Sequence, residues 1–470
     1  MKNYASLKDI QQDLENKEVS CKKLVLGYLE NISNQRDLNA FIEIYKDEAL
    51  KRAEKIDNKI KNNTAGPLAG LVVGIKDNIC FANHASTAGS KILENFKSTF
   101  SATVVERLIG QDAIIIGRLN CDEFAMGSST ETSIHGSTLN PINKSYVPGG
   151  SSGGSAAAVK SNMCQIALGT DTGGSVRQPS AFCSLIGLKP TYGLVSRHGL
   201  IAYASSFDQV GPIGKSTHDV LEVMKVISGK DSFDSTCTAD ALLELPNMNI
   251  DSASFAVVKE AIDFPSIDPG VKQEMKQLIN ELKEKGHKIN YISLPLLEYL
   301  VPTYYILTTA EASSNLSRYD GIKFGYQEKH RDINELISQT RGKGFGEEVK
   351  RRIMLGTYVL SEGYYDAYYT KAQKIRRLIQ QETEKILLEN NFILLPTTPH
   401  LPFKLGSKSS IATQMYNEDI FTVSANLSGH PAIAFPLGEV TSGFSASAQI
   451  IGNYFEDSAL LGIVEKIISK

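Results

Sequence analysis

One stretch of the chain runs Val147-Pro148-Gly149-Gly150-Ser151-Ser152-Gly153-Gly154-Ser155 (the first glycine turn). A second runs Gly169-Thr170-Asp171-Thr172-Gly173-Gly174-Ser175-Val176-Arg177-Gln178-Pro179 (the second glycine turn). Glycine is unfavourable inside regular structure, so clusters of it mark positions where the backbone bends sharply or approaches another group closely. The neighbouring serine hydroxyls are small groups that can carry a proton or act as nucleophiles. We therefore interpret the two turns as an active site and the rest of the chain as its scaffold.

The composition is that of a globular protein without a general attraction to nucleic acid. The chain has 470 residues, of which 42% are hydrophobic and 21% charged, and its formal net charge is −3. This length allows a large core, or roughly two to three ordinary domains. The charge gives no general pull toward RNA, DNA or anionic membranes. If RNA is involved, we expect a partner to hold it.

The N-terminus and the cysteines predict a cytoplasmic protein that does not contact a membrane. Residues 1–9 are polar, unlike a signal peptide, and no apolar run approaches the roughly 18–20 residues of a membrane span. The cysteines are scattered without a C-x-x-C pair, which favours reduced and buried thiols. They are Cys21, Cys80, Cys121, Cys164, Cys183 and Cys237.

A strand–helix–strand rhythm predicts an α/β fold. Residues 67–75 form a short apolar run that predicts a buried strand, with Lys76 at its end. Residues 102–111 predict a helix and residues 113–117 the next buried strand, which together are typical of βαβ units. The chain shows no internal repeat, so we predict one large α/β domain with helical additions.

Several boundaries follow from the same patterns. The polar residues 58–64 predict a linker, and short apolar runs predict late strands at 392–395, 432–435 and 446–451. Residues 364–388 predict one long amphipathic helix. Its apolar face is predicted to contain Tyr368, Ala372, Ile375, Ile379 and Ile386.

Lys76, Ser151 and Ser175 are the candidate catalytic residues. A serine hydroxyl is a weak nucleophile until a base removes its proton, and neither glycine turn contains a histidine. A lysine is such a base only when neutral, and lowering its pKa from about 10.4 to about 7 costs roughly 4–5 kcal/mol. Full burial shifts a lysine by up to about 3–5 units, so the demand is within reach. The alternative is that Lys76 is a surface charge or an ion pair with Asp77.

The backbone of the second glycine turn offers an oxyanion hole. Consecutive N–H groups without intervening side chains can point at one oxygen, and losing one such donor typically raises a barrier by about 3–4 kcal/mol. The candidate donors are the N–H groups of Thr172, Gly173, Gly174 and Ser175. Asp171 and Arg177 flank the turn and could pair to hold its shape.

Other catalytic motifs are either absent from the sequence or lack the neighbouring elements that they need. The chain has no G-x-x-x-x-G-K-[ST] or G-x-G-x-x-G phosphate loop, and no H-E-x-x-H motif or Cys/His cluster that would predict a metal site. Residues 150–154 match G-x-S-x-G, the nucleophile elbow of α/β-hydrolases. That elbow needs a strand directly before it, whereas this chain has Pro141 and Pro148 in the preceding segment. The histidines nearest the turns, His135 and His198, are interpreted as structural.

These motifs resemble those of the amidase signature family, and the similarity runs over nearly the whole chain. It rests on residues 149–155, 171–179, 187–193 and 76–78. The resemblance implies a single domain over residues 1–470, with a central mixed β-sheet covered by helices on both faces. The N-terminal helices would occupy 1–60, the catalytic core about 65–225 and 390–470, and a more variable helical part about 265–390.

The resemblance also implies a Ser–cis-Ser–Lys triad. Ser175 would be the nucleophile, Ser151 the proton relay and Lys76 the base, with a cis peptide bond between Gly150 and Ser151. One departure from the family pattern is the segment 444–449, Phe-Ser-Ala-Ser-Ala-Gln, where Pro-x-Gly-Leu-Gln is common. We expect this departure to alter packing or the tunnel wall rather than the triad.

Residues 311–321, 350–352 and 363–369 are similar to segments of the glutaminase subunits (A-subunits) of tRNA-dependent amidotransferases within the family. The similarity implies that the chain hydrolyses glutamine to glutamate and ammonia and binds no cofactor itself. A partner B-subunit would use ATP and Mg²⁺ to activate Glu-tRNA(Gln) or Asp-tRNA(Asn) and would receive the ammonia through a tunnel. A partner C-subunit would bind these two and complete a heterotrimer.

Glutamine as a substrate demands partners for its α-carboxylate and its α-amino group. The resemblance implies Arg352 for the carboxylate, a good match to guanidinium geometry, and Asp419 for the ammonium, with Tyr304 nearby. Each of these could instead be a structural or surface residue. Two alternatives stay open: a stand-alone amidase acting on uncharged amides, and a scaffold that only binds partners.

Overall fold

The computed structural model describes residues 2–237, 252–407 and 416–469. Within these ranges the strands are β1 (Phe41–Ile44), β2 (Val72–Lys76), β3 (Ile114–Leu119), β4 (Ile166–Asp171), β5 (Ile186–Lys189), β6 (Gln209–Gly214), β7 (Ser254–Val258), β8 (Lys288–Ile292), β9 (Phe392–Pro396), β10 (Ala432–Thr441) and β11 (Phe444–Ile451). They form one sheet in the order β1-β3-β2-β4-β6-β5-β10-β11-β9-β7-β8. Parallel and antiparallel neighbours both occur, which confirms the predicted mixed α/β sheet.

The helices lie before, between and after the strands. They are α1 (Leu7–Glu15), α2 (Cys21–Asn34), α3 (Lys46–Lys61), α4 (Thr103–Gly110), α5 (Gly153–Lys160), α6 (Arg177–Phe182), α7 (Thr217–Ile227), α8 (Lys259–Ile262), α9 (Pro269–Glu284), α10 (Leu297–Asn315), α11 (Ile333–Gly344), α12 (Glu347–Val359), α13 (Lys371–Glu389), α14 (Val423–Ser428) and α15 (Asp457–Ile468). The division into a catalytic core and a more variable part stays a prediction.

Helices cover both faces of the sheet because successive strand residues point to opposite sides. In β2, Val72 enters a core that contains side chains of α2, α3 and α5. Its neighbour Val73 enters a different core, which contains side chains of α4, α7, α9 and α15. The same alternation in β3 places Ile114 in the first core and Ile115 in the second.

Two predicted boundaries are wrong. The linker at 58–64 begins too early, because α3 continues to Lys61 and its backbone hydrogen bonds extend to Asn62. The segment 364–388 is not one α-helix, since residues 365–370 form a π-helical turn before α13 starts at Lys371. Tyr368 lies in that turn with 39% of its surface exposed, so it is not part of the buried face.

The sheet places the candidate catalytic residues at one edge. Strand β2 is parallel to β4, with Ile75 opposite Leu168, so the carboxyl ends of both strands point the same way. Lys76 is the last residue of β2, and β4 ends at Asp171, inside the second glycine turn. The first glycine turn leads into α5, where a side chain at Gly154 would collide with the carbonyl oxygen of Asn120.

Candidate active site

Lys76 is fully buried among hydroxyl groups. Its Nζ donates to Ser151 Oγ at 2.7 Å, to Ser152 Oγ at 2.9 Å and to Thr170 Oγ1 at 2.9 Å. Burial lowers the pKa of Lys76 to about 8, so about a tenth of the amine is neutral at pH 7. Hydroxyl partners do not hold the proton on the amine as a carboxylate would.

The alternative ion pair between Lys76 and Asp77 does not form. Asp77 Oδ1 accepts the N–H of Thr87 at 3.1 Å, and Oδ2 accepts the N–H of Gly89 at 2.9 Å. The nearest cation to Asp77 is Arg118, whose Nη1 lies 3.6 Å from Oδ1. Asp77 therefore stabilises the loop after β2 and is not a counter-ion of the lysine.

The first glycine turn contains the expected cis peptide bond, between Gly150 and Ser151. The N–H of Gly150 donates to Gln178 Oε1 at 2.9 Å, which ties this turn to α6. A side chain at Gly150 would collide with Asp122 and with the backbone of Ser129. The relay candidate Ser151 thus sits on backbone held from two sides.

The second glycine turn contacts the first one through backbone. The N–H of Ser152 donates to the carbonyl oxygen of Ser175 at 3.3 Å. Over the described ranges of the chain, the Ser175 hydroxyl makes no hydrogen bond, and Ser175 is 9% exposed. The link from Lys76 to Ser151 is therefore made, whereas the link from Ser151 to Ser175 is not closed in this state.

The candidate oxyanion donors differ in availability. The N–H of Gly174 donates to Asp171 Oδ1 at 2.9 Å, so it is committed within the protein. The N–H groups of Thr172, Gly173 and Ser175 have no acceptor among the residues that the structure describes. Their use as oxyanion donors stays a prediction.

Asp171 and Arg177 form the predicted pair. Arg177 Nε lies 3.0 Å from Asp171 Oδ2, and Nη2 lies 3.0 Å from Oδ1. The same guanidinium donates to the carbonyl oxygen of Thr422, to Gln449 Oε1 and to Asn426 Oδ1. Burial alone raises the pKa of Asp171, but the charge and hydrogen bonds of Arg177 outweigh it and hold that pKa well below the usual range.

Arg352 lies on a cavity of about 300 Å³. The cavity is lined by Glu123, Met126, Gly127, Ser128, Ser129, Glu131, Thr132, Tyr305, Gly346, Glu347, Glu348, Arg351, Arg352 and Tyr416. Its Ser128–Ser129 wall packs against Gly150, next to the relay candidate Ser151. The cavity and the first glycine turn therefore share the Ser128–Ser129 wall.

Asp419 lies behind the cavity wall and is hydrogen-bonded to two of its residues. Tyr305 Oη donates to Asp419 Oδ2 at 3.0 Å, and Ser128 Oγ donates to Oδ1 at 3.3 Å. Burial raises the pKa of Asp419 to about 7. Tyr304 lies beside Tyr305, with ring centroids 5.0 Å apart, and its ring covers Gly173, where any side chain would collide with it. Its predicted role in substrate binding stays a prediction.

Several site residues were not predicted. Ser152 and Thr170 lie inside the quoted turns, so their motif was the only signal for them. The others come from separate segments and carry no local signal in the sequence. They are Ser128, Tyr203, Tyr305, Glu348 and Tyr416.

The remaining candidates of the sequence have structural environments. His135 Nε2 lies 3.0 Å from Thr87 Oγ1, and His198 stacks between Phe100 and Phe233. Within the described ranges, no group of three or more His, Cys, Asp or Glu side chains could hold a metal ion. In the same ranges, no helix combines the length and the apolar character needed to cross a bilayer.

Comparison of the sequence with models of known protein families agrees with the interpretation of the fold and the two glycine turns. The amidase family model matches residues 23–461, and the chain belongs to this family.

Individual relatives and a solved structure show which members of the family this chain is similar to. The chain is 44% identical over 471 residues to the A-subunit of glutamyl-tRNA(Gln) amidotransferase from Chlorobium phaeobacteroides, covering 99% of this chain and 98% of the relative. It is 46% identical over 469 residues to the Fusobacterium nucleatum protein of that name, covering 98% and 96%. The crystal structure of the same A-subunit from Thermotoga maritima superposes with a TM-score of 0.77 at 41% identity, covering 94% of this chain and 90% of that one.

Proposed function

We propose that the chain is the glutaminase, or A-subunit, of a glutamyl-tRNA(Gln)/aspartyl-tRNA(Asn) amidotransferase. The observation that carries the proposal is a cavity that is lined by Arg352 and has a Ser128–Ser129 wall contacting Gly150 on one side, with Ser128 hydrogen-bonded to Asp419. In this proposal Arg352 binds the α-carboxylate of glutamine, Asp419 binds the ammonium, and the side-chain amide reaches the serine turns. The names of relatives at 44% and 46% identity support the same function.

The mechanism starts from neutral Lys76. The amine takes the Ser151 proton, Ser151 takes the Ser175 proton, and Ser175 Oγ attacks the amide carbon of the glutamine side chain. The resulting oxyanion is stabilised by free N–H groups of the second glycine turn. The protonated relay returns a proton to the leaving nitrogen, so ammonia departs and a glutamyl ester of Ser175 remains. Water then attacks the ester through the same relay, which releases glutamate and restores the serine.

Substrate binding closes the relay. The Ser175 hydroxyl has no hydrogen-bond partner over the described ranges, and catalytic hydrogen bonds often tighten only in the substrate complex. An amide carbon above Ser175 fixes the hydroxyl between that carbon and Ser151. The relay then runs in line from nucleophile to amine.

The proposal includes two partner proteins. Ammonia passes to a B-subunit that binds ATP, Mg²⁺ and the charged tRNA, and a C-subunit joins the pair in a cytoplasmic heterotrimer that serves protein biosynthesis. The net charge of −3 fits a chain that leaves RNA binding to a partner.

The two alternatives are less well supported. A stand-alone amidase for uncharged amides has no use for a buried guanidinium on its cavity, and Arg352 is 4% exposed. A scaffold without catalysis does not need a buried lysine bonded to hydroxyls, and Lys76, Ser151 and Ser175 are all present.

The test is ammonia release from glutamine by the full chain co-purified with its partner subunits. Ser175→Ala is expected to abolish release, because the nucleophile is gone. Ser145→Ala, at an exposed loop position, serves as the matched control and keeps wild-type activity. Persistent release by Ser175→Ala refutes the assignment.

A further inference from the structure

Glu348 and Arg352 lie one turn apart on α12, and several contacts fix their geometry. Arg352 Nε donates to Glu348 Oε1 at 2.8 Å, and Arg352 Nη1 donates to the hydroxyl of Tyr203 at 2.8 Å. Glu348 Oε1 also accepts the Tyr416 hydroxyl at 3.0 Å, and its other oxygen accepts from Arg351. Burial alone raises the pKa of Glu348, but the charge of Arg352 and its hydrogen bond outweigh it and lower that pKa.

The guanidinium is enclosed by aromatic rings and keeps one uncommitted nitrogen. Its Cζ lies 5.5 Å from the ring centroid of Tyr203, 5.1 Å from that of Tyr305 and 5.7 Å from that of Tyr416. Over residues 2–237, 252–407 and 416–469, Arg352 Nη2 donates no hydrogen bond. Because Arg352 lines the cavity, Nη2 is the donor that it can offer to a ligand there.

We propose that Glu348 is a positioning residue, which fixes the rotation of the Arg352 guanidinium so that Nη2 is held toward the α-carboxylate of the substrate. This inference rests on the proposed function. A planar guanidinium gives directed hydrogen bonds only when its orientation is fixed. The faces of the aromatic rings enclose the guanidinium but do not select which nitrogen faces the cavity. Glu348 selects it together with the Tyr203 hydroxyl, because Nε and Nη1 are held by these two acceptors.

The pair also defines the class of substrate. Glu348 and Arg352 together are close to neutral, so the cavity does not attract anions through a net positive charge at this point. A carboxylate is recognised by the direction of the free N–H groups, and an amide without a carboxylate gains nothing from them. Through Arg352, Glu348 thus strengthens the binding of amides that carry a carboxylate.

The test compares three substitutions in the full chain with its partner subunits. Glu348→Ala removes the acceptor, Glu348→Asp withdraws it by one methylene, and Glu348→Gln keeps an acceptor oxygen without the charge. KM for glutamine is expected to rise roughly tenfold in the alanine and aspartate variants, with kcat within about threefold, while the glutamine variant stays within about threefold of wild type. If the alanine variant does not fold, the aspartate–glutamine contrast decides.

The opposite pattern overturns the proposal. Wild-type KM in Glu348→Ala or Glu348→Asp shows that the acceptor does not position Arg352. A rise in Glu348→Gln with wild-type behaviour in Glu348→Asp shows that charge rather than position matters.

A second substrate separates positioning from general damage. The probe is 4-aminobutanamide, which is glutamine without the α-carboxylate, assayed as a substrate or, where turnover is slow, as a competitive inhibitor of glutamine hydrolysis. Its KM or Ki is expected to change less than about twofold in Glu348→Ala. An equal rise for both compounds overturns the proposal.

A double variant shows whether Glu348 acts through Arg352. Adding Glu348→Ala to Arg352→Ala is expected to cause no further rise in KM for glutamine, because the positioned group is already absent. A further tenfold rise contradicts the proposal. Glu222→Ala is the control, since it deletes a carboxylate from another helical ion pair, Glu222–Lys225 at 2.7 Å, outside the site. Absence of ammonia release by the wild-type complex refutes the proposed function, whereas an active wild type with unchanged variants refutes only the role of Glu348.

Discussion

Two arginines of this protein are buried in polar networks, and they differ in how many donors are used. Arg177 makes five hydrogen bonds through Nε, Nη1 and Nη2, which uses the full capacity of a guanidinium. Toward the residues that the structure describes, Arg352 donates through Nε and Nη1 only. The first is satisfied within the fold, and the second keeps capacity for a ligand.

Asp171 and Asp419, the acids in these two networks, also differ in how far their charge is satisfied within the fold. Asp171 is charged because Arg177 holds its pKa below the usual range despite burial. Asp419 accepts from the neutral hydroxyls of Tyr305 and Ser128, and burial raises its pKa to about 7. Both acids are buried, so burial alone does not distinguish a brace from a binding group. A binding group is distinguished by hydrogen-bonding and charge capacity that the fold leaves unused.

The largest expected effect tests the satisfied arginine. Arg177→Met leaves Asp171 buried and unpaired, so it should lower the free energy of unfolding by about 3–5 kcal/mol, measured by denaturant titration. Arg377→Met, on the exposed side of α13, should change it by less than about 0.5 kcal/mol. A loss below about 1 kcal/mol for Arg177→Met means that this network does not brace the turn.

The same substitution at the open arginine should affect binding more than stability. Arg352→Met removes the carboxylate partner, so KM for glutamine is expected to rise about a hundredfold, which corresponds to about 3 kcal/mol. Stability should fall by less than about 2 kcal/mol, because Glu348 retains its contacts with Arg351 and Tyr416. Equal stability losses at Arg352 and Arg177 would remove the distinction between the two networks.

The two acids should differ in their pH dependence. Below pH 7 Asp419 is increasingly protonated and cannot neutralise an ammonium, so KM for glutamine should fall as pH rises from 6 to 8, by at most about tenfold per unit. Asp171 stays charged over this range and contributes no slope. The value of kcat should rise toward pH 8, because Lys76, with its pKa of about 8, becomes neutral there.

Asp419→Asn separates these two slopes. The variant should lose the pH dependence of KM while keeping that of kcat, measured from full kinetic curves at each pH. A KM that still falls between pH 6 and 8 would assign the titration to another group.

The smallest effect concerns the outer support of Arg352. Tyr416→Phe removes the hydroxyl that donates to Glu348 at 3.0 Å, which typically contributes about 0.5–1.5 kcal/mol. KM for glutamine should rise roughly two- to fivefold with kcat unchanged. Tyr299→Phe, at an exposed position, is the control and should match wild type.

Local patterns in the sequence predict the strands and helices and the position of the catalytic residues, but not every boundary. The apolar run before Lys76 and the glycine turns locate the strand end and both serines, because period and composition are local signals. The boundary at residues 58–64 failed since Asn and Lys occur both at exposed helix ends and in loops, so polarity does not separate them.

The surroundings of Arg352 lie beyond local signals. Tyr203, Tyr305, Glu348 and Tyr416 come from four separate segments and meet only in the folded chain. Resemblance supplied Arg352 and Asp419, but not the hydroxyls that hold them. The exposure of Tyr368 was missed for a similar reason, because a π turn shifts the face that an α-helical period assigns to it.

Three of the five hydrogen bonds of Arg177 have a consequence for synthesis on the ribosome. They join the turn that holds Ser175 to Thr422, Asn426 and Gln449, which lie 245, 249 and 272 residues further along the chain. This support of the nucleophile is therefore complete only after Gln449 has been made, and a chain truncated before Gln449 should release no ammonia.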